Sequence, residues 1–169
     1  MGTKRIGWAR IRSLINENAN QMKTKIDEVY HVNNVATTLT ESQSGATVFW
    51  THGSTHNLTL PPATPGMNFK IILTVGSAHT QNIVDAAGDS GFYGKATVTK
   101  SAAAPFSSTQ NVVKGSAKAL VKLHTSTTTL GGNAGDVIEL VCLEAGYWLV
   151  EARLSCTGTP ASTAVLADS

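Results

Sequence analysis

Residues 135–154 read GDVIELVCLEAGYWLVEARL, and their pattern decides the fold class. Ile138, Leu140 and Cys142 alternate with Val137, Glu139 and Val141; after a break at Glu144 to Gly146 the alternation resumes as Trp148, Val150, Ala152 and Leu154. A period of two marks a strand with one buried face. The stretch therefore predicts a β-hairpin with one apolar side. Cys142 falls near Trp148, while Cys156 lies eight residues further along the second strand, roughly 26 Å away at about 3.3 Å per residue. No disulfide spans that separation. Both cysteines are expected to be reduced, with Cys142 a small core hydrophobe.

Upstream the same period persists. ATTLTESQSGATVFW (36–50) reads as strand, polar turn, strand. In NLTLPPATPGMNFKIILTV (57–75), Leu58 and Leu60 precede a loop of Pro61, Pro62, Pro65 and Gly66, after which Phe69, Ile71, Leu73 and Val75 alternate. The loop residues cannot continue a central strand, so they are expected to punctuate a hairpin. Further short strands are expected at Asn82–Val84, Gly94–Thr99 and Ala117–His124. The segment Ala86–Gly115, rich in Gly, Ala, Ser and Thr, is expected to supply long loops. No solenoid-type repeat is evident. Short strands with frequent turns predict a mainly β protein, a β-sandwich or jelly-roll-like body at residues 35–157. Residues 158–169, GTPASTAVLADS, lack a core pattern and read as a surface tail.

The opening differs. Ile11, Leu14, Ile15 and Met22 recur at helical spacing, with Trp8 one turn before Ile11. This predicts an N-terminal α-helical arm over about Lys4–Ala19 within a basic arm and linker, residues 1–34. A helix of this length is marginal alone in water, so its apolar stripe needs another surface.

Composition agrees with both halves. Of 169 residues only 14% are charged, and 22 are threonine, whose β-branched side chain suits a pleated surface. The net charge of +2 hides an asymmetry: through Lys25 six cations stand against one anion, and thereafter seven stand against ten. A basic arm is joined to a mildly acidic body. No run approaches the ~18 apolar residues of a membrane span. Lys4, Arg5, Arg10 and Arg12 interrupt any secretory signal, so synthesis in a cytoplasm is expected.

Motifs for chemistry are weak. AAGDSGFYG (86–94) holds the Gly-Asp-Ser-Gly core found around a protease nucleophile, but Phe92 and Tyr93 replace the glycine and proline expected next, and the matching histidine context is missing. His52 and His56 in THGSTHN (51–57) have zinc-like i, i+4 spacing, yet Gly53 and the flanking strand patterns argue against a helix there. A loop metal site would need His79 or His124. Asp85 and Asp89 lack regular calcium-loop spacing and read as turn residues. Phosphate-loop and dinucleotide fingerprints are missing. The sequon Asn57-Leu58-Thr59 carries no meaning without a secretory signal. Of the pairs Phe49–Trp50 and Tyr147–Trp148, one member each is expected in the core and the other outward. No enzymatic activity, metal or cofactor is expected.

Taken in order, GTKRIGWARIRSLINENANQ (2–21), TESQSGATVFW, NLTLPPATPGMNFKIILTV, NIVDA and GDVIELVCLEAGYWLVEA resemble the small virion proteins of marine tailed bacteriophages. Those often open with Lys-Arg-Ile-Gly-Leu-Ala-Arg before a helix; here Trp8 stands where an aliphatic residue is expected. The resemblance covers roughly residues 2–25 and 38–154, and the Ala/Ser/Thr-rich middle does not align. It implies a capsid decoration, or cement, protein: a homotrimer on the capsid exterior that clamps neighbouring copies of the major capsid protein. Under that implication Lys4, Arg5, Arg10 and Arg12 pair with acidic groups of the shell, while Trp8, Ile11, Leu14 and Ile15 bury apolar area. A rival reading is a fibre or knob module that binds host surface glycans through the β body. A nucleic-acid role for the arm is disfavoured, because the body is acidic and no basic aromatic face continues past Lys25. No nucleic-acid or membrane partner is expected.

Overall fold

The computed structural model describes residues 10–17, 29–33, 35–51, 54–74, 80–87, 89–100, 107–124, 130–160 and 165–168. Over these the chain is mainly β, with one short N-terminal helix, α1, at residues 10–17. A seven-stranded sheet runs in the order β1 (Val29–Asn33), β3 (Thr47–Thr51), β5 (Asn68–Leu73), β10 (Val137–Glu144), β11 (Tyr147–Cys156), β7 (Gly91–Lys100), β8 (Ser107–Val112). A five-stranded sheet runs β12 (Leu166–Ala167), β9 (Leu120–His124), β6 (Thr80–Val84), β4 (His56–Thr59), β2 (Thr37–Thr38).

The hairpin that opens the sequence reading is β10–β11, antiparallel, with Ile138 opposite Ala152 and Leu140 opposite Val150. Trp148, Val150, Ala152 and Leu154 are buried, while Glu151 and Arg153 between them are exposed. Gly146, at φ 80°, makes the turn, and the ladder slips between Val141 and Glu144. Trp50 and Trp148 are inside and their neighbours Phe49 and Tyr147 half-buried, as strand alternation requires. One hydrophobic cluster draws on both sheets, joining Trp50, Ile71 and Trp148 to Leu58, Ile83 and Val121. Cys142 and Cys156 are buried thiols not joined in a disulfide, and burial pushes both up.

The upstream strands are not hairpins. From β1 to β6 the chain alternates sheets, so that β1, β3 and β5 lie parallel in one sheet and β2, β4 and β6 lie parallel in the other. Each strand pairs with the one a full coil away. Val29 stands beside Thr47, and Thr47 beside Lys70. The polar turn between β2 and β3 is therefore a sheet-to-sheet crossover, and so is the loop read as a hairpin, 60–67. There Leu60, Pro61, Ala63 and Met67 face the core, and Gly66 (φ 94°) donates its N–H to the Cys142 carbonyl at 2.8 Å. Prolines suit a crossover for the same reason they suit a hairpin loop: neither needs a ladder N–H. The winding occurs without a sequence repeat.

Three further expectations are corrected. The segment 86–115 is not mainly loop: the short strand expected at Gly94–Thr99 extends to the ten residues of β7, and β8 follows. β7 lies between β11 and β8, parallel to β11, and a side chain on Gly94 would collide with the Val150 backbone. Close strand packing explains why small residues occupy a central strand. Residues 158–169 are not a plain surface tail, because Val165 and Leu166 are buried and β12 pairs with β9. Gln110 of β8 fastens it, donating to the Leu166 carbonyl and accepting its N–H, both at 2.9 Å. Finally, Val29–Asn33, read as part of the arm and linker, is strand β1 at the sheet edge.

Candidate functional site

Two surfaces stand out. The first is α1. Ile11, Leu14 and Ile15 fall at i, i+3 and i+4, which places them on one face. Ile11 is half-buried, but Leu14 is 50% and Ile15 59% exposed. Arg10 and Arg12 are exposed, and neither forms an ion pair among the described residues. Of the arm residues singled out from sequence, these five share the helix. Lys4, Arg5 and Trp8 lie outside the described residues.

The second is the outer face of the seven-stranded sheet. Across it, register aligns Lys70, Glu139, Glu151 and Lys95 in one row, and Phe49, Ile72, Val137, Arg153 and Thr97 in the next. Arg153 Nη2 donates to Glu139 at 2.9 Å, and Lys70 approaches the same oxygen at 3.9 Å. At one end, Tyr93 and Tyr147 meet edge to face at 6.3 Å, with Lys114 4.8 Å over the Tyr147 ring and bonded to Glu144. At the other, His31 stacks on Phe49 at 5.4 Å. Between β7 and β11 lies a groove of 480 Å³ whose polar lining includes Lys95, Thr97, Thr99, Glu151 and Arg153.

Asp136 closes the base of that groove in a structural role. Its Oδ2 accepts from the Gly132 and Asn133 N–H groups at 2.7 and 3.0 Å, and its Oδ1 from the Ser155 N–H and hydroxyl at 2.9 and 2.7 Å. Burial pushes this carboxyl up, and the hydrogen bonds, led by the Ser155 hydroxyl, oppose it.

The weaker motifs resolve into structure. Ser90 sits against the β10–β11 turn, its N–H donating to the Gly146 carbonyl at 2.6 Å. Asp89 Oδ2 accepts the Ala63 N–H at 2.9 Å and so holds the 60–67 crossover. Burial pushes Asp85 up, with the charge of Asp89 adding to it. Among the described residues no cluster of three or more His, Cys, Asp or Glu can hold a metal. His52 and His79 lie outside the described residues, as does the side chain of His124. One contact escaped the sequence reading: Ser54 Oγ lies 2.7 Å from His56 Nε2. Ser54 lies in the bend just before β4, and its i, i+2 spacing to His56 was the available signal. Among the described residues no carboxylate hydrogen-bonds His56.

No family model, no curated protein and no solved structure matches the chain. Among the described residues no helix is long and apolar enough to cross a membrane.

Proposed function

We propose that this protein is a capsid decoration, or cement, protein of a tailed bacteriophage. It would bind the outer surface of the major capsid protein shell and stabilise the head. The observation that carries the reading is the uncovered face of α1. Leu14 and Ile15 stay half exposed on a helix that also presents Arg10 and Arg12. Two turns of helix do not persist alone in water, so a partner surface must supply the missing burial. The sequence resemblance to small virion proteins points to the capsid as that surface.

In mechanism, burying an aliphatic side chain fully contributes about 1.5–3 kcal/mol. One arm is therefore a weak tether. A homotrimer presents three arms, and linked attachment raises avidity by about 10²–10⁴ without new contacts. Because such a clamp binds only the assembled shell, it shifts the equilibrium toward the intact particle by mass action. Packaged DNA pushes the shell outward, and shared contacts oppose that load. The two sheets, burying one cluster, serve in this reading as the layers of a β-sandwich that carries the arm.

The test is a truncation. Protein lacking residues 1–20 should keep the β circular-dichroism signal of the full chain and lose its occupancy on particles. Unchanged occupancy would refute the role given to the arm. Light scattering should return a trimer, and a monomer in both free and shell-supplemented samples would remove the avidity argument.

A further inference from the structure

The groove between β7 and β11 has a chemistry that the arm does not explain. Strand register sets Lys95 beside Glu151, Thr97 beside Arg153 and Thr99 beside Ser155, with Tyr93 one outward position before Lys95, about 7 Å along the strand. Both strands are interior to the sheet, so their backbone groups are engaged in the ladder. A ligand here meets side chains only, which excludes recognition by strand addition.

Three groups stand ready for a ligand. Glu139 already holds Arg153 and faces Lys70, whereas Glu151, directly across from Glu139, has no ion-pair partner among the described residues. Two carboxylates opposed across strands repel one another, which is a local cost with no structural return. Lys95 and the Thr99 hydroxyl likewise form no ion pair or hydrogen bond with the described residues. The set mixes donors with an acceptor, as a polyol requires. In the groove lining Lys95 and Arg153 stand against Glu151 and Asp136, and Arg153 is already held by Glu139, so the Lys95 ammonium, unpaired among the described residues, is the group that calls for an acidic partner. Glu151 disfavours a dense polyanion, and an apolar guest would leave the Lys95 and Glu151 charges without a partner. At 480 Å³ the groove is within the range of small-ligand sites, about 300–1,000 Å³.

We propose that this groove is a glycan subsite for a carboxylated sugar unit. The sugar carboxylate faces Lys95 and Arg153, its hydroxyls meet Glu151, Thr97 and Thr99, and the adjoining unit lies over Tyr93. The subsite is independent of α1 and of the capsid reading. A protein anchored elsewhere by its arm would then present an acidic-glycan contact on its sheet face.

The experiment is titration of the full-length protein with oligogalacturonate and sialyllactose, with lactose and inorganic sulfate as controls, followed by NMR. Saturable binding of an acidic sugar, with shifts at Thr97, Thr99 and Tyr93, is the expected result. Lys95→Ala and Glu151→Gln should each weaken it about tenfold, the scale of one charge-assisted hydrogen bond. Both side chains are on the surface, so circular dichroism should be unchanged, and capsid attachment should be unaffected. Binding of neither acidic sugar overturns the proposal. So does equal binding of lactose, binding reproduced by sulfate alone, or affinity indifferent to both substitutions.

Discussion

In the β body Trp50, Phe92 and Trp148 are 0% exposed, whereas on α1 Leu14 and Ile15 stand 50% and 59% exposed. The body is not uniformly closed, since Leu143 and Val113 are 62% and 71% exposed, but its largest side chains are inside. The body closes its core from both sheets, and even its last strand is fastened down through Gln110. Under the proposed function, the arm's apolar residues serve an encounter outside the subunit.

The comparison breaks or sharpens by substitution. The largest effect belongs to Trp148→Ala, at the centre of the body and 5.8 Å from Phe69: a loss of about 3–5 kcal/mol in chemical denaturation. A loss below 1 kcal/mol would mean that the core is looser than its burial implies. Next comes Asp136→Asn, which turns an acceptor of four hydrogen bonds into a partial donor facing donors; about 2–3 kcal/mol should be lost. Gly66→Ala should cost about 1 kcal/mol, because its φ of 94° strains a side chain but nothing lies within 4 Å. Gly91→Ala should cost more, since its side chain would strike the Lys118 carbonyl. The smallest stability effect is expected at the arm. Leu14→Asp with Ile15→Asp should stay within about 0.5 kcal/mol of the parent, as uncovered positions do. A cooperative loss of body stability in that variant would show that the helix packs on its own subunit, and the contrast would collapse.

Legibility followed the distance between partners. The β10–β11 hairpin was readable because both strands, their alternation and their turn fall within residues 137–156. The helix was readable because Ile11, Leu14 and Ile15 report a period within two turns. The coil of β1 to β6 was not. Alternation shows that Val48 and Ile71 face inward, but an alternating strand pairs equally well with the next strand or with one a coil away. β7 was under-read because Gly94 and Ala96 are small where backbones crowd. β12 was missed because two residues give no period, and its placement rests on Gln110, far away in sequence. The groove was invisible for a related reason. Lys95, Glu151 and Arg153 are ordinary surface residues until the parallel β7–β11 register sets them side by side.

The most direct measurement is co-sedimentation of the purified protein with expanded capsid shells that lack it, read as copies bound per shell for the parent and for Leu14→Asp/Ile15→Asp. The account predicts saturable binding of the parent at a multiple set by icosahedral symmetry, and loss of binding in the doubly substituted but folded variant. Equal binding of the two, or no binding of the parent, would contradict it.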